Sequence, residues 1–315
     1  ISVYAPAIEA GYNPDSILED KPQSYYEAKN YDGTYSGEVP MYQALAQSLN
    51  LPAVWTLHEI GLDRGYKKTQ EFGLTLSESD KYWGLALGGL ETGESPLTMA
   101  AAYGVFASGG YYYQPHLITK IVDSTGAVIV DNTSVKGKQV ISKETADKMT
   151  SMMLGTFSNG TGVSASPYGF TIAGKTGTTE TNFDLSKVND QWIVGYTPDL
   201  VISTWLGFEQ TSAEHYLTGT SGQVVGKIFK AEAESLLPYS QGSQFQVADA
   251  YMTGGKLMAA DEVPDPNEST DNDDWKKSVD EFAENAKEGL KDFGERVKQG
   301  TKELFGNLWN TINGN

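Results

Sequence analysis

The chain has 315 residues, of which 41 are acidic and 23 are basic, so its formal net charge is −18. This charge disfavours nucleic acid and other strongly anionic partners, because an acidic surface repels them. The absence of cysteine excludes disulfides, zinc sites built on thiolates and a cysteine nucleophile, and no apolar run reaches the roughly 18–20 residues that span a bilayer.

Four stretches have the composition and spacing of α-helices. The second carries apolar residues at positions 45, 49, 53 and 57, a repeat of four that places them on one helical face. The third is rich in alanine and stops at a glycine pair, and the fourth begins with Ser142 and Thr145, which are typical cap residues. The predicted helices cover residues 1–10, 41–60, 96–108 and 142–157.

Two strands are predicted over residues 191–196 and 200–208. Both are rich in β-branched and aromatic residues, and the sequence Thr197-Pro198-Asp199 between them is typical of a hairpin turn. Strands and helices do not alternate regularly, as they would in a parallel α/β fold. Helices that flank an antiparallel sheet indicate the α+β class.

The composition changes once, near residue 260. Residues 251–274 are predicted to be an acidic linker, because the stretch from 261 onward contains two prolines, many acids and almost no apolar side chains. Residues 275–315 carry apolar residues mostly at spacings of three, four or seven, which predicts an amphipathic C-terminal helix that acts as a tether or a partner segment. The folded domain is predicted over residues 1–250.

The segment Lys175-Thr176-Gly177-Thr178-Thr179 follows a short apolar stretch and has the residues of a ligand-binding edge strand. Gly177 has no side chain, so another backbone can approach it closely. Lys175 adds a cation, the threonine hydroxyls can bind a carboxylate, and the Thr178 amide can face a developing oxyanion. Read alone, Lys-Thr-Gly is also a tripeptide that arises by chance in about one chain of this length in ten.

A second motif, Ser48-Leu49-Asn50, lies within the predicted helix 41–60. Residues two positions apart do not share a helical face, so both polar side chains reach one site only if the helix breaks there, which Pro52 encourages. In that case the hydroxyl could relay a proton and the amide could bind a substrate backbone group. The alternative is that both residues cap or solvate a helix end.

Together, Ser-x-Asn and Lys-Thr-Gly-Thr about 125 residues later resemble the second and third active-site motifs of the penicillin-binding proteins. Residues 173–208 resemble that family throughout, including Asp190-x-Trp192 and the run Gly195-Tyr196-Thr197-Pro198. Residues 85–121 resemble a helix and turn of the bifunctional, high-molecular-mass (class A) members. The resemblance covers residues 1–250, and its context makes it far more specific than the short motifs.

The resemblance implies a penicillin-binding, β-lactamase-like fold in which an antiparallel sheet is flanked by helices, with an additional all-helical subdomain. It implies a transpeptidase that cross-links peptidoglycan stem peptides through a serine acyl-enzyme and is acylated by β-lactams. No cofactor, metal or nucleic acid is implied, and the expected location is the extracytoplasmic face of the bacterial cell membrane. The residues to which the resemblance assigns catalytic or substrate-binding roles are Ser48, Asn50, Lys175, Thr176, Gly177, Thr178 and Thr179.

Each role is carried over by position. Lys175 lowers the pKa of the catalytic lysine and helps to hold the substrate carboxylate, and Ser48 passes a proton to the leaving amine. Asn50 holds the catalytic lysine and a substrate amide. Thr176 and Thr178 bind the carboxylate, and the Thr178 amide is one oxyanion donor.

One departure from the family pattern concerns the nucleophile. The family carries it in a Ser-x-x-Lys motif, and no serine of this chain is followed by lysine at the third position. Residues 1–11 resemble the helix that directly follows that motif, so we expect the catalytic serine and lysine just upstream of Ile1. Three alternatives stay open: a β-lactamase, a D,D-carboxypeptidase, and a non-catalytic domain that senses β-lactams or wall peptides.

Other candidate sites are rejected on their residues. The stretch 88–95 has the spacing of a phosphate loop, but Glu94 occupies the position that requires lysine. A calcium loop starting at Asp265 lacks the glycine and glutamate that such loops need. The three histidines, His58, His116 and His215, have no metal or triad spacing and are predicted to be surface or packing residues.

Overall fold

A computed structural model describes residues 1–184 and 186–263, and Ile1–Val263 form one unit. The predicted helix 275–315 and the predicted linker residues 264–274 lie outside the described residues. The helices, in chain order, are α1 (Tyr4–Glu9), α2 (Met41–Ala46), α3 (Asn50–Ile60), α4 (Leu62–Glu71), α5 (Pro96–Ala107), α6 (Lys143–Ser158), α7 (Val225–Leu236) and α8 (Ala250–Thr253). The strands are β1 (Ile17–Asp20), β2 (Gly37–Pro40), β3 (Tyr111–Tyr112), β4 (Lys120–Val122), β5 (Val128–Asp131), β6 (Lys138–Gln139), β7 (Ala173–Glu180), β8 (Val188–Tyr196) and β9 (Val201–Gly207).

The central sheet contains three antiparallel strands in the order β7-β8-β9. The two predicted strands are confirmed as β8 and β9, and the turn between them lies where the Thr-Pro-Asp sequence predicted it. Strand β7, which carries the Lys-Thr-Gly motif, is an edge strand that pairs with β8 alone within the described part of the chain. Together with the flanking helices, this antiparallel sheet confirms the α+β class.

Helices cover both faces of this sheet. Successive residues of a strand point to opposite sides, so each strand contributes side chains to the packing on both faces. On one face, Val194 and Tyr196 belong to the larger hydrophobic core, which also contains residues of α1, α2, α3, α5 and α6. On the other face, Ile193 packs with Phe229 of α7 in a smaller core. Lys175 is opposite Val194 in the strand register, so it lies on the face of the larger core.

The predicted helices 96–108 and 142–157 are confirmed as α5 and α6, and both begin with a capping serine. The Ser95 hydroxyl accepts a hydrogen bond from the Thr98 amide at 3.1 Å, and the Ser142 hydroxyl accepts one from the Thr145 amide at 3.0 Å. The predicted helix 1–10 is shorter than expected and is present as α1. The predicted segment 41–60 is not one helix but two, α2 and α3, which are separated by three residues that include Ser48.

The folded unit also extends beyond residue 250. Helix α8 packs on the domain, and Val247 forms an isolated antiparallel bridge with Ala259. The first part of the predicted linker 251–274, up to Val263, is therefore part of the compact unit. Among the described residues, no helix is both long enough and apolar enough to cross a bilayer.

Candidate active site

Ser48 occupies a strained turn between α2 and α3. Its φ angle is +57°, the only positive φ at a non-glycine residue in the described part of the chain. The Ser48 amide bonds to the Leu45 carbonyl at 3.1 Å and the Leu49 amide bonds to the Ala44 carbonyl at 3.0 Å, a pattern that normally ends with glycine. A left-handed conformation costs a non-glycine residue about 1–2 kcal/mol, and such strain concentrates at functional sites.

Asn50 follows at the first position of α3. Its side-chain amide donates a hydrogen bond to the Lys29 carbonyl at 2.7 Å. The break in the helix therefore frees Ser48 and Asn50 from the constraint that two residues of one helix cannot share a face at this spacing. Among the described residues, Asn50 forms no hydrogen bond with Lys175, so the structure joins Ser48, and not Asn50, directly to the Lys-Thr-Gly strand.

The two motifs meet at Lys175. Its ammonium group donates to the Ser48 hydroxyl oxygen at 2.6 Å and to the Thr176 carbonyl at 2.9 Å, although Lys175 and Ser48 are 127 positions apart in the sequence. Burial lowers the pKa of Lys175 from 10.5 to about 8, and no carboxylate of the described residues offsets this effect. A partly buried cation whose only partners are neutral oxygens is suited to attract an anionic ligand.

The lowered pKa of Lys175 predicts how stability depends on pH. Between pH 8 and 10.5 the unfolded chain keeps a proton on this lysine that the folded chain has lost, so the free energy of unfolding rises with pH in this window. Relative to a Lys175→Met variant, the unmodified chain should gain about 2–3 kcal/mol between pH 7.5 and 10.5. Chemical denaturation of both proteins at several pH values measures this difference, and a constant difference would contradict the shift.

Gly177 lies two residues further along β7, on the same face as Lys175. A Cβ atom added at Gly177 would be 3.5 Å from the Cβ of Trp192, which is an ordinary van der Waals contact. The packing of the sheet therefore does not require glycine here. By contrast, a Cβ atom at Gly174 would overlap the Val194 carbonyl oxygen, so that glycine is needed for the fold.

The threonines of β7 differ in their surroundings. Thr176 is only 6% exposed, and its hydroxyl lies 2.5 Å from the hydroxyl of Thr161. The Thr178 hydroxyl accepts a hydrogen bond from the Ser221 amide at 3.0 Å and donates one to the Ser221 hydroxyl at 3.1 Å. Thr179 is exposed and donates to the Asp190 carbonyl at 3.4 Å.

Two of these partners, Thr161 and Ser221, were not predicted from the sequence. The Thr161 amide donates to the Ala46 carbonyl at 3.1 Å, so this residue bonds both to the end of α2 and to Thr176 of β7. The only local signal is the turn sequence Asn159-Gly160-Thr161-Gly162, which indicates a loop but not its neighbours.

The first residue of the chain, Ile1, lies beside Lys175. The backbone nitrogen of Ile1 is buried close to the Lys175 side chain. Helix α1 begins three residues later. The backbone that leads into α1 is therefore next to the Ser48–Lys175 contact.

His58 and Glu94 both have structural roles outside the candidate active site. The His58 ring stacks on Tyr25 with centroids 4.1 Å apart and contacts Trp83 at 5.2 Å, so it is a packing residue. The Glu94 carboxylate accepts a hydrogen bond from the Thr75 amide at 2.6 Å, which fixes a loop.

Comparison with known proteins shows which family this chain resembles. The family model described as the penicillin binding protein transpeptidase domain matches residues 1–232. Penicillin-binding protein 2a of Streptococcus pneumoniae is 48% identical over 257 residues, which are 80% of this chain and 35% of that protein. Penicillin-binding protein 1F of Bacillus subtilis is 42% identical over 224 residues, 70% of this chain and 31% of that protein. This chain spans about a third of the length of these relatives.

Solved structures show the same similarity. PonA1 of Mycobacterium tuberculosis in complex with penicillin V has a TM-score of 0.68 and 25% sequence identity, and the match covers 84% of this chain and 73% of that chain. The motifs, the meeting of Ser48 with Lys175 and the match of the family model over most of the chain lead to one conclusion. The chain belongs to the penicillin-binding protein transpeptidase family.

Proposed function

We propose that this domain is a serine-type D,D-transpeptidase that cross-links peptidoglycan stem peptides and is acylated by β-lactams. It works as part of a longer, bifunctional class A protein on the extracytoplasmic face of the bacterial cell membrane. The observation that carries this proposal is the 2.6 Å contact between the Lys175 ammonium group and the Ser48 hydroxyl, which brings both predicted motifs to one site.

The nucleophile is the serine of a Ser-x-x-Lys segment that precedes Ile1. The position of Ile1 beside Lys175 is compatible with this, because a segment joined there enters the site directly. The positive charge of Lys175 favours the neutral form of the lysine in that segment, which then acts as a base for the serine. We call the protein that includes this segment the extended protein.

The reaction has two halves. The serine oxygen forms a bond to the carbonyl carbon of the penultimate D-Ala, the C–N bond breaks, and the terminal D-Ala amine leaves with a proton passed on by Ser48. The nitrogen of an acceptor amine then forms a bond to the ester carbonyl carbon, the ester C–O bond breaks, and the serine oxygen recovers a proton that the acceptor amine has lost. In this scheme the Lys175 ammonium and the Thr176 and Thr178 hydroxyls bind the terminal carboxylate, and the Thr178 amide stabilises the oxyanion.

Gly177, Thr179 and Asn50 orient the substrate. Gly177 leaves room for a ligand backbone along the edge of β7, and Thr179 extends this edge toward its exposed end. Asn50 binds a substrate amide and the lysine of the preceding segment. The Asn50 amide contacts the Lys29 carbonyl in the structure, so this role requires its side chain to exchange one partner for another.

A Gly177→Ala variant tests whether β7 binds a ligand. The added methyl group fits beside Trp192, so the free energy of unfolding should change by less than about 1 kcal/mol. The same group projects into the space beside Lys175, so the rate of acylation by penicillin should fall about tenfold or more. Acylation of the extended protein by a fluorescent penicillin measures the rate. Unchanged acylation in a folded Gly177→Ala protein would argue against ligand binding along this strand.

The decisive functional experiment supplies the extended protein with a stem peptide ending in D-Ala-D-Ala and with an amine acceptor. A transpeptidase forms the cross-linked product, whereas a D,D-carboxypeptidase releases D-Ala and yields only the hydrolysed peptide. With penicillin, a stable adduct excludes a β-lactamase, which would release the hydrolysed drug quickly. An extended protein that is folded but is never acylated would favour a non-catalytic sensor and overturn the proposal.

A further inference from the structure

The side chain of Asn30 forms four hydrogen bonds although it is only 4% exposed. Its amide nitrogen donates to the Asp20 carboxylate and to the Thr34 carbonyl, each at 2.8 Å. Its amide oxygen accepts from the backbone amides of Asn50 at 3.0 Å and Leu51 at 3.2 Å. All of the hydrogen-bonding capacity of this side chain is therefore used.

These bonds cap the start of α3 from a distant part of the sequence. The first amides of a helix lack partners within the helix and usually bond to the side chain of the preceding residue. Here the residue at that position is Leu49, which has no side-chain acceptor. Asn30, twenty positions before Asn50, supplies the missing acceptor and thereby fixes where α3 begins.

Asp20 fixes the orientation of the Asn30 amide. It is 2% exposed, and its second carboxylate oxygen accepts hydrogen bonds from the Ser36 amide at 2.7 Å and the Ser36 hydroxyl at 3.0 Å. Because one carboxylate oxygen faces Asn30, the nitrogen of the Asn30 amide must point to Asp20. The oxygen must then point to α3.

Lys29, the residue before Asn30, binds the side chain of Asn50. Its backbone carbonyl accepts a hydrogen bond from the Asn50 side-chain amide. One short segment thus binds both the backbone and the side chain of Asn50. We infer that Asn30, oriented by Asp20, is a positioning residue that sets the geometry of the Ser48–Asn50 turn for acyl transfer. This inference rests on the proposed function, because it assigns Ser48 and Asn50 to that reaction.

An Asn30→Ala variant of the extended protein tests the inference. Removing the cap lets the start of α3 shift, and a displacement of about 1 Å at a reacting group can lower a rate about 100-fold. We therefore expect acylation by fluorescent penicillin to slow about 100-fold in protein that is still folded. Hydrogen exchange at the amides of Asn50 and Leu51 should accelerate in the same variant, which is a readout that does not depend on activity.

The matched control is Ser142→Ala, which removes the cap of α6 at a helix start outside the site. It should lower the melting temperature by a few degrees, as loss of a cap does, and leave the acylation rate within about twofold of the unmodified protein. If Asn30→Ala behaves like this control, with a lower melting temperature and normal acylation, Asn30 is only structural and the inference is wrong.

A double substitution provides a rescue. Asn30→Asp places two carboxylates against one another, and Asp20→Asn leaves an NH2 group facing either the Ser36 amide N–H or the Asn30 amide nitrogen, so each should slow acylation. In the combined variant the new amide at position 20 donates to the new carboxylate at position 30 and still accepts from Ser36, and the carboxylate can still accept both α3 amides. Only the bond to the Thr34 carbonyl is lost, so a partial recovery of the rate, at least tenfold, is expected. If the Asn50 and Leu51 amides regain protection without recovery of the rate, the inference is overturned. If the unmodified extended protein is never acylated, the proposed function itself fails.

Discussion

Replacing Lys175 by methionine should slow acylation of the extended protein by β-lactams about 1,000-fold. The variant removes the cation beside the Ser48 hydroxyl, and with it the attraction for the ligand carboxylate and the charge that keeps the neighbouring base neutral. Because none of the described residues gives this buried charge an acidic partner, its removal should not destabilise the fold at pH 7. Fluorescent penicillin labelling over time gives the rate, and denaturation gives the stability.

Lys148→Met is a suitable control for this substitution. Lys148 has a side chain that is only 15% exposed, but it pairs with Glu144 on α6 rather than with the candidate active site. We expect this variant to be acylated at the normal rate. A normal rate in Lys175→Met as well would remove Lys175 from the reaction.

The second large effect concerns Ser48, where two substitutions separate chemistry from backbone strain. Ser48→Ala and Ser48→Gly both remove the hydroxyl that accepts the Lys175 hydrogen bond, and each should slow acylation about 100- to 1,000-fold. Only glycine relieves the left-handed conformation at φ +57°. Ser48→Gly should therefore be more stable than Ser48→Ala by about 1 kcal/mol, or about 2–4 °C in melting temperature.

Acylation rates and melting curves of the two variants are measured side by side. An inactive but stabilised Ser48→Gly protein would show that the serine is retained for its hydroxyl at a cost in stability. Equal melting temperatures for both variants would indicate that the turn is not strained. Normal acylation in either variant would exclude Ser48 from proton transfer.

Local sequence signals were sufficient for the main elements around the site. Ser142 identified the start of α6, the glycine pair after residue 108 identified the end of α5, and the Thr-Pro-Asp turn identified the β8–β9 hairpin. These predictions succeeded because caps and turns depend on residues within a few positions of each other. The pairing of Ser-x-Asn with Lys-Thr-Gly came from the family resemblance, since contact across 127 positions has no local signal.

Other features could not be predicted in the same way. The short hairpin of β4 and β5 is exposed on both strands, so its apolar residues Ile121 and Ile129 show no alternation between core and solvent. The break between α2 and α3 at Ser48 could not be predicted with certainty, because serine rarely adopts the left-handed backbone conformation that it has there. Asn30 and Thr161 bond to residues far away in the sequence, and nothing in their own neighbourhoods indicates those partners.

The most direct test of the shared site is a double-mutant cycle on the acylation rate of the extended protein, with Lys175→Met, Ser48→Ala and their combination. If the 2.6 Å contact makes the two residues one catalytic unit, the combined variant should react within about tenfold of the slower single variant. If the two losses multiply instead, to about 10⁵-fold or more, Lys175 and Ser48 act independently and the proposed pairing of the two motifs is wrong.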